Sequence, residues 1–172
     1  MSKELFRHVK ALVSDFAAEH GELDLVGRRM ECEPADRDAI VDQFDAFGVV
    51  GGAGARIRDD RGVLLVRYDE TSGWLEPGAE RLPGESYREC ARRALAEVTP
   101  VEAAIKELAQ VHLLYMNDRT ARQPVPNPYL VFEGRKTGGS ATSGRTNAET
   151  RWVGSPPSDP GYAELAELSL PE

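Results

Sequence analysis

The chain has 172 residues, the length of one domain of ordinary size, and 41% of them are hydrophobic, which is enough for a substantial core. Charged residues make up 29% and the net charge is -8 at pH 7, which argues against a nucleic-acid backbone and an anionic membrane surface as partners. The two cysteines lack disulfide or zinc-ligand spacing, and no segment has the pattern of a signal peptide or a membrane span, so we expect a soluble, cytoplasmic protein.

The first quarter of the chain is predicted to be helical. Residues 2–20 carry apolar side chains at helical spacing, and Gly21 follows as an end signal. A second helix is predicted over residues 35–47, with Pro34 at its start. We therefore expect residues 1–44 to form a helical extension on a main domain of residues 45–172. The extension either packs on that domain or makes a homodimer contact.

Residues 46–68 predict two strands joined by a turn. The turn signal is "DDRG", and the "VLLV" that follows it is typical of a buried strand. The glycines at 51, 52 and 54 lack the spacing of a dinucleotide-binding fingerprint. Glycines inside a strand instead predict a bulge or the close approach of another backbone.

A loop rich in glycine and proline, residues 73–86, is predicted to lead into a helix from about Ser86 to Val98. Ser86 and Glu89 have the spacing of a capping box at the start of this helix. Pro100 predicts its end, because a proline disfavours helical backbone in the residue before it.

The rest of the chain is predicted to be mostly β-structure. Strands are expected at residues 108–116, 128–136 and 149–153, with an exposed loop at 137–147 and a short helix near the C-terminus. Strands on both sides of one capped helix, together with the outer helices, predict an α/β fold with a mixed sheet.

Residues 78–101, "GAERLPGESYRECARRALAEVTPV", resemble the signature of the Nudix family, G-x5-E-x7-R-E-U-x-E-E-x-G-U, in which U is bulky and apolar. Glu85 matches the first Glu, Arg93 the Arg, and Glu97 the first of the paired Glu residues. The neighbouring hairpin, the Trp before a Pro-Gly turn and the later "RWV" also fit, so the resemblance extends from residue 46 to about residue 155. It implies the α/β/α sandwich of that family, with a mixed β-sheet.

The sequence departs from the signature at its acidic positions. Ala94 replaces the Glu that follows the Arg, and Val98 replaces the second of the paired Glu residues. Ala79 and Pro100 stand where the signature has glycines. The family clusters its acids on one helix face, and here that cluster is reduced to Glu97.

The resemblance implies Mg²⁺ or Mn²⁺ as the cofactor. Such a cation neutralises a diphosphate and positions and acidifies a water molecule for attack on phosphorus. By resemblance, Glu97 and the carbonyl of Gly78 are the metal ligands, and Glu85 and Arg93 form an ion pair that fixes the loop onto the helix. Glu97, Glu85 and Arg93 are therefore the candidate catalytic residues.

Two functions follow from this resemblance. The leading prediction is a Nudix-type, metal-dependent pyrophosphohydrolase that cleaves a nucleoside diphosphate linked to another group. The alternative is a catalytically weak or inactive Nudix-fold module that binds a nucleotide-like ligand, and the loss of acids at positions 94 and 98 favours it.

The residues alone also allow a purely structural interpretation. Glu89, Arg93 and Glu97 are spaced four apart, which is typical of a solvated helix face whose ion pairs contribute roughly 0.2–0.5 kcal/mol each. On that interpretation the chain is a structural domain that dimerises through its N-terminal helices.

Some further residues are candidates for a site, each with a structural alternative. Four other acids could substitute for the missing ones, namely Glu80, Asp118, Glu133 and Glu149, of which Asp118 and Glu149 are favoured. Trp74, Tyr115 and Tyr129 are candidates for stacking on a base, and residues 119–123 for contact with phosphates.

Overall fold

The computed structural model describes residues 2–68, 73–120, 122–139 and 148–154. In chain order its elements are α1 (Ser2–His20), β1 (Leu25–Glu31), α2 (Pro34–Phe47), β2 (Gly52–Asp59), β3 (Gly62–Tyr68), β4 (Gly78–Glu80), α3 (Tyr87–Val98), β5 (Glu102–Asn117), β6 (Val125–Gly138) and β7 (Ala148–Val153).

The described strands form one mixed sheet. Its order is β1-β5-β6-β2-β3-β7, with β4 paired to β2 beside that path. The β1–β5 and β2–β6 pairs are parallel, and the remaining pairs are antiparallel. The predicted α/β class with a mixed sheet is confirmed.

The N-terminal region contains a strand as well as the two predicted helices. α1 and α2 have the expected bounds, and each is followed by a glycine in the left-handed region, Gly21 and Gly48. β1 was not predicted, because it is largely exposed and lacks apolar alternation. Since β1 pairs with β5, residues 1–44 contribute to the sheet of the main domain, and the predicted boundary after residue 44 lies inside α2.

Among the described residues, α1 contributes to two of the hydrophobic clusters of the core. Leu12 and Phe16, near its C-terminal end, pack with α3 and β2 in the largest hydrophobic cluster. Leu5 and Val9, near its N-terminal end, pack with α2 in a second cluster. Each buried aliphatic or aromatic side chain of this kind contributes roughly 1.5–3 kcal/mol.

α3 confirms the sequence prediction at both ends. Ser86 is its N-cap, and the reciprocal hydrogen bonds of the capping box with Glu89 are both present. Thr99 is extended, as expected before Pro100. The predicted apolar stripe is buried, and Ala94 and Val98 are each only 1% exposed.

The predicted C-terminal helix and most of the predicted loop at 137–147 lie outside the described residues. Among the described residues, no helix has both the length and the apolar character needed to cross a membrane.

Candidate functional site

The segment that leads into α3 is held against β2. Its first residues form β4, with Gly54 opposite Gly78 and Gly52 opposite Glu80. This short strand had been predicted as loop, because three residues show no periodicity. A Cβ on Gly52 would lie 2.3 Å from the Ala79 carbonyl oxygen, which confirms the close backbone approach predicted for these glycines.

Arg93 connects the loop to the helix. Its guanidinium donates to Glu85 Oε1 through Nε at 2.7 Å, to Glu97 Oε1 through Nη1 at 2.9 Å, and to the Glu80 carbonyl through Nη2 at 2.7 Å. The hydrogen bond from Arg93 lowers the pKa of Glu85, and the same bond raises the pKa of Arg93. The ion pair that the resemblance implies for Glu85 and Arg93 is therefore present.

The protein residues around Glu97 supply too few ligands to hold a metal ion by themselves. Ala94 and Val98 face the core, and the described residues contain no group of three or more His, Cys, Asp or Glu that could hold a metal. The carboxylate of Glu97 already accepts a hydrogen bond from Arg93. The Gly78 carbonyl oxygen lies 3.5 Å from the Tyr68 hydroxyl. One carboxylate and one carbonyl leave most of the six ligands of Mg²⁺ to water or to a bound phosphate.

A cavity of about 440 Å³ lies beside β4, between β1, α2, β5 and β6. This volume is within the usual range for small-molecule sites, roughly 300–1,000 Å³. Gly78, Ala79 and Glu80 line it, whereas Glu85, Arg93 and Glu97 are not among the described residues that do. Its apolar lining includes Met30, Ile40, Leu75, Leu114 and Pro128, and its polar lining includes Arg28, Gln43, Glu76, His112, Asn127 and Tyr129.

Two glycines make room for Tyr129 at the cavity. A Cβ on Gly78 would lie 2.0 Å from the Tyr129 hydroxyl, and a Cβ on Gly54 would lie 2.2 Å from the same atom. Real Cβ atoms do not approach this closely, so the tyrosine keeps its place only because both positions lack a side chain.

A buried ion pair adjoins the tyrosine. The Glu76 side chain is 0% exposed, and its Oε2 lies 4.0 Å from Nη2 of Arg56, which is itself 8% exposed. A Cβ on Gly54 would also lie 3.0 Å from Cγ of Glu76. Glu76 and the Tyr129 hydroxyl therefore converge on the same glycine.

His112 is held as a neutral donor through Nε2. Gln110 donates from its amide nitrogen to Asp24 at 2.8 Å, which turns its amide oxygen towards Nε2 of His112 at 2.7 Å. That nitrogen must carry the proton, so Nδ1 is the acceptor nitrogen of the ring. Burial, with the nearby charges of Arg28 and Arg56, lowers the pKa of His112 to about 4.

Apart from Glu80, the other acidic candidates do not line the cavity. They instead form hydrogen bonds and ion pairs with other residues of the fold. Asp118 accepts hydrogen bonds from Thr120 and Arg122, and these bonds lower its pKa to about 2. Glu133 pairs with Arg58, and Glu149 pairs with Arg67 and Arg151. Of the acids considered, Glu80 alone is among the described residues that line the cavity.

The remaining aromatic and basic candidates have separate places. Trp74 is buried, with the guanidinium groups of Arg67 and Arg151 against its ring, and Tyr115 lines a smaller groove beside α1. Within residues 119–123, Arg119 pairs with Glu31, and residue 121 lies outside the described residues. Tyr129 alone of these three aromatics lines the cavity.

Comparison with known proteins gives matches in structure. No family model matches the chain, and no curated protein matches it. A Nudix hydrolase from Nitrosomonas europaea matches with a TM-score of 0.49 at 19% identity, over 60% of this chain and 56% of the other. A UDP-X diphosphatase matches with a TM-score of 0.45 at 17% identity, over 87% and 68%. A MutT protein from Methanosarcina mazei Go1 matches with a TM-score of 0.44 at 24% identity, over 60% and 75%.

Two of the matched structures, both from Nitrosomonas europaea, are named as Nudix hydrolases. They agree with the Nudix resemblance predicted from residues 78–101. The chain spans about half the length of the first Nitrosomonas structure, 56%. What happens in the cavity of this chain therefore has to be argued from its own residues.

Sequence reasoning did not identify the buried polar residues of the cavity. Glu76 lies inside a stretch predicted as loop. Acidic residues are common in loops, so its presence there does not indicate a site. His112 is far from His8 and His20 in sequence, so no metal-ligand spacing distinguishes it. One local signal was available: Gln110 and His112 alternate with Val111 and Leu113, so the two polar residues share one face of a strand.

Proposed function

We propose that this chain is a Nudix-like domain that binds a nucleoside diphosphate derivative in the cavity beside β4. The observation that carries the proposal is the cavity itself, about 440 Å³ in volume and bounded by Gly78, Ala79 and Glu80. Its apolar lining and the ring of Tyr129 suit the flat face of a base. The guanidinium of Arg28 suits a phosphate, which it can contact through two N–H groups at once.

Binding without metal-dependent cleavage is the function that the residues favour. The acids at positions 94 and 98 are absent, and Glu97 is engaged by Arg93 and is not among the described cavity residues. Hydrolysis of the diphosphate with Mg²⁺ or Mn²⁺ is the second candidate. The contacts of Arg93 with Glu85 and Glu97 support it, because they join the three residues that the Nudix resemblance implies.

The test is calorimetric titration with ADP, GDP, UDP and their sugar-linked derivatives, in EDTA and in Mg²⁺. We expect binding in EDTA, and about a tenfold weakening by Arg28→Gln, because a charge-assisted contact is lost. Arg29→Gln is the matched control, since Arg29 is exposed on the same strand and is not among the described cavity residues. Failure of every compound to bind would contradict the proposal.

Phosphate release measured in the same samples separates the two candidates. Turnover that requires Mg²⁺, is lost in Glu97→Gln and persists in Glu107→Gln would establish hydrolysis. Glu107 is an exposed residue of β5 that undergoes the same chemical change. Binding without turnover would establish the first candidate, a domain that binds its ligand without cleaving it.

A further inference from the structure

We propose that Asn127 recognises the base of the bound nucleotide, by forming two hydrogen bonds with the edge of that base. The edge is one that presents a hydrogen-bond donor beside an acceptor. This inference rests on the proposed function, because it requires a nucleoside diphosphate to occupy the cavity.

The first step is the position of Asn127 on the sheet. Arg28, Leu114 and Asn127 are aligned with one another on β1, β5 and β6, and all three line the cavity. With a strand spacing of about 4.8 Å, the Cα atoms of Arg28 and Asn127 lie roughly 10 Å apart, with the apolar Leu114 between them. A guanidinium that suits phosphates and a carboxamide thus lie at opposite ends of one row of the cavity floor. The phosphates and the base lie at opposite ends of a nucleotide in the same way.

The second step is the rigidity of the backbone that carries Asn127. The residue lies in β6 between Pro126 and Pro128. Each proline fixes its own φ, and a residue that precedes a proline is confined to extended backbone. The amide is therefore held in place before a ligand binds, and little ordering remains to be done. Asparagine and proline are both depleted in strands, so strand formation alone does not account for this tripeptide.

The third step is the availability of the amide. Asn127 is half-buried, and within the part of the chain that the structure describes its side chain has no hydrogen-bond partner in the protein. Its amide atoms are also absent from the buried polar atoms without a partner among those residues. The carboxamide is therefore accessible from the cavity, where its oxygen can accept and its nitrogen can donate.

The fourth step is the chemistry of a carboxamide. It presents a donor and an acceptor side by side in one plane, and it pairs with a base edge of the complementary pattern, as asparagine does with adenine. Tyr129 lies two residues further along β6, on the same face of the sheet, and it also lines the cavity. A base that stacks on the Tyr129 ring brings its edge within reach of Asn127, since the two residues are roughly 7 Å apart along the strand.

The experiment compares nucleotides that differ only at the edge of the base. Dissociation constants are measured by calorimetry in EDTA for four parents, each against an analogue that lacks one donor. ADP is compared with purine riboside diphosphate and CDP with pyrimidin-2-one riboside diphosphate, which lack the amine. GDP is compared with N1-methyl-GDP and UDP with N3-methyl-UDP, which lack the ring N–H. We expect at least one parent to bind at least about fivefold more tightly than its analogue in the native protein.

Substitution of Asn127 tests whether this residue causes the preference. In Asn127→Leu the preference should fall below about twofold, because leucine has the same branching and can form neither hydrogen bond. A preference caused by crowding of a methyl group on the base would survive that change. Asn117→Leu is the matched control and should keep the preference, since Asn117 is a half-buried residue of β5 that is not among the described cavity residues.

Each outcome has one meaning. Equal affinities within every pair overturn the inference and leave the proposed function intact, and so does a preference that persists in folded Asn127→Leu. A preference that is lost in Gln43→Leu but kept in Asn127→Leu assigns recognition to the other carboxamide of the cavity, on α2, and also overturns the inference. Absence of binding by every compound contradicts the proposed function itself. If thermal melting shows that Asn127→Leu is unfolded, Asn127→Val replaces it, because valine favours strands and likewise forms no hydrogen bond.

Discussion

At the scale of single residues, the absence of a side chain at Gly78 shapes the cavity as much as any polar group. The Tyr129 hydroxyl occupies the space that a Cβ would take, at 2.0 Å from its ideal position, and the ring carbon Cζ is 3.0 Å away. The backbone of Gly78 is not in the left-handed region, so a larger residue is opposed by this contact rather than by its conformation.

We therefore predict that Gly78→Ala lowers the free energy of unfolding by roughly 1–3 kcal/mol, the usual cost of an overpacked site. Chemical denaturation measures the change. The cost should be smaller when Tyr129 is already Phe, because the nearest atom to the new methyl group is then missing. Gly27→Ala serves as the control, since the nearest atom to its Cβ is at an ordinary 3.8 Å. An equal cost of Gly78→Ala with and without the hydroxyl would contradict this explanation.

At the scale of elements, α3 owes its position to signals that are local in sequence. The Ser86 hydroxyl accepts from the Glu89 backbone N–H at 3.1 Å, and Glu89 Oε2 accepts from the Ser86 N–H at 2.8 Å. These two bonds satisfy backbone groups that the first turn of a helix otherwise leaves without partners. Glu85 directly precedes this cap, and Arg93 of the same helix ties Glu85 and the Glu80 carbonyl to α3.

Loss of this cap should weaken the domain measurably. Ser86→Ala should lower the free energy of unfolding by about 1 kcal/mol, within a usual range of roughly 0.5–2. Ser86→Thr retains a hydroxyl acceptor and should keep most of that stability. Urea denaturation of the two variants measures both changes. Equal losses of unfolding free energy in Ser86→Ala and Ser86→Thr would mean that the hydroxyl cap does not contribute to stability.

The elements that sequence predicted and those it missed differ in where their determinants lie. α3 has a capping box, an apolar stripe and a proline stop within one short segment, so its bounds followed from the sequence. β1 is an exposed edge strand that exists because β5 pairs with it, and β4 has three residues that exist as a strand because β2 pairs with them. Pairing between distant segments leaves no periodicity to detect.

The same distinction explains how much of the candidate site could be predicted. Glu85 and Arg93 are eight positions apart, and their ion pair followed from the resemblance alone. Glu76 and His112 gain their importance from a cavity that unites segments far apart in the chain, namely β1, α2, the β4 segment, β5 and β6. The alternation around His112 indicates a polar strand face, but it does not indicate the other segments that complete the cavity.

At the scale of the whole molecule, the hydrogen-bond relay from Asp24 through Gln110 to His112 links the stability of the fold to pH. Asp24 precedes β1, whereas Gln110 and His112 lie on β5, so the relay fastens the N-terminal region to the main sheet. Burial, then Arg28 and Arg56, lower the pKa of His112 from 6.5 to about 4, so the folded protein holds this ring neutral. In the unfolded chain the pKa of His112 has its ordinary value of 6.5, so the ring takes up a proton at a higher pH than in the folded protein.

The sign of the pH dependence follows from that difference. Above pH 6.5 the ring is neutral in both states and its contribution to stability is complete. As the pH falls from 6.5 to about 4, the unfolded state binds the proton more readily, and the free energy of unfolding must decrease. Asp118, whose pKa is lowered from 3.8 to about 2, acts in a separate window below that range.

Urea denaturation between pH 7 and pH 4 tests this expectation. The decrease should be smaller in His112→Gln, which keeps a polar side chain but cannot titrate, than in the native protein. His20→Gln, at the end of α1 and outside the relay, should follow the native curve. An unchanged decrease in His112→Gln would assign the acid sensitivity to other groups. It would also mean that the cavity does not depend on a neutral imidazole, since protonation of His112 would then leave the fold around it undisturbed.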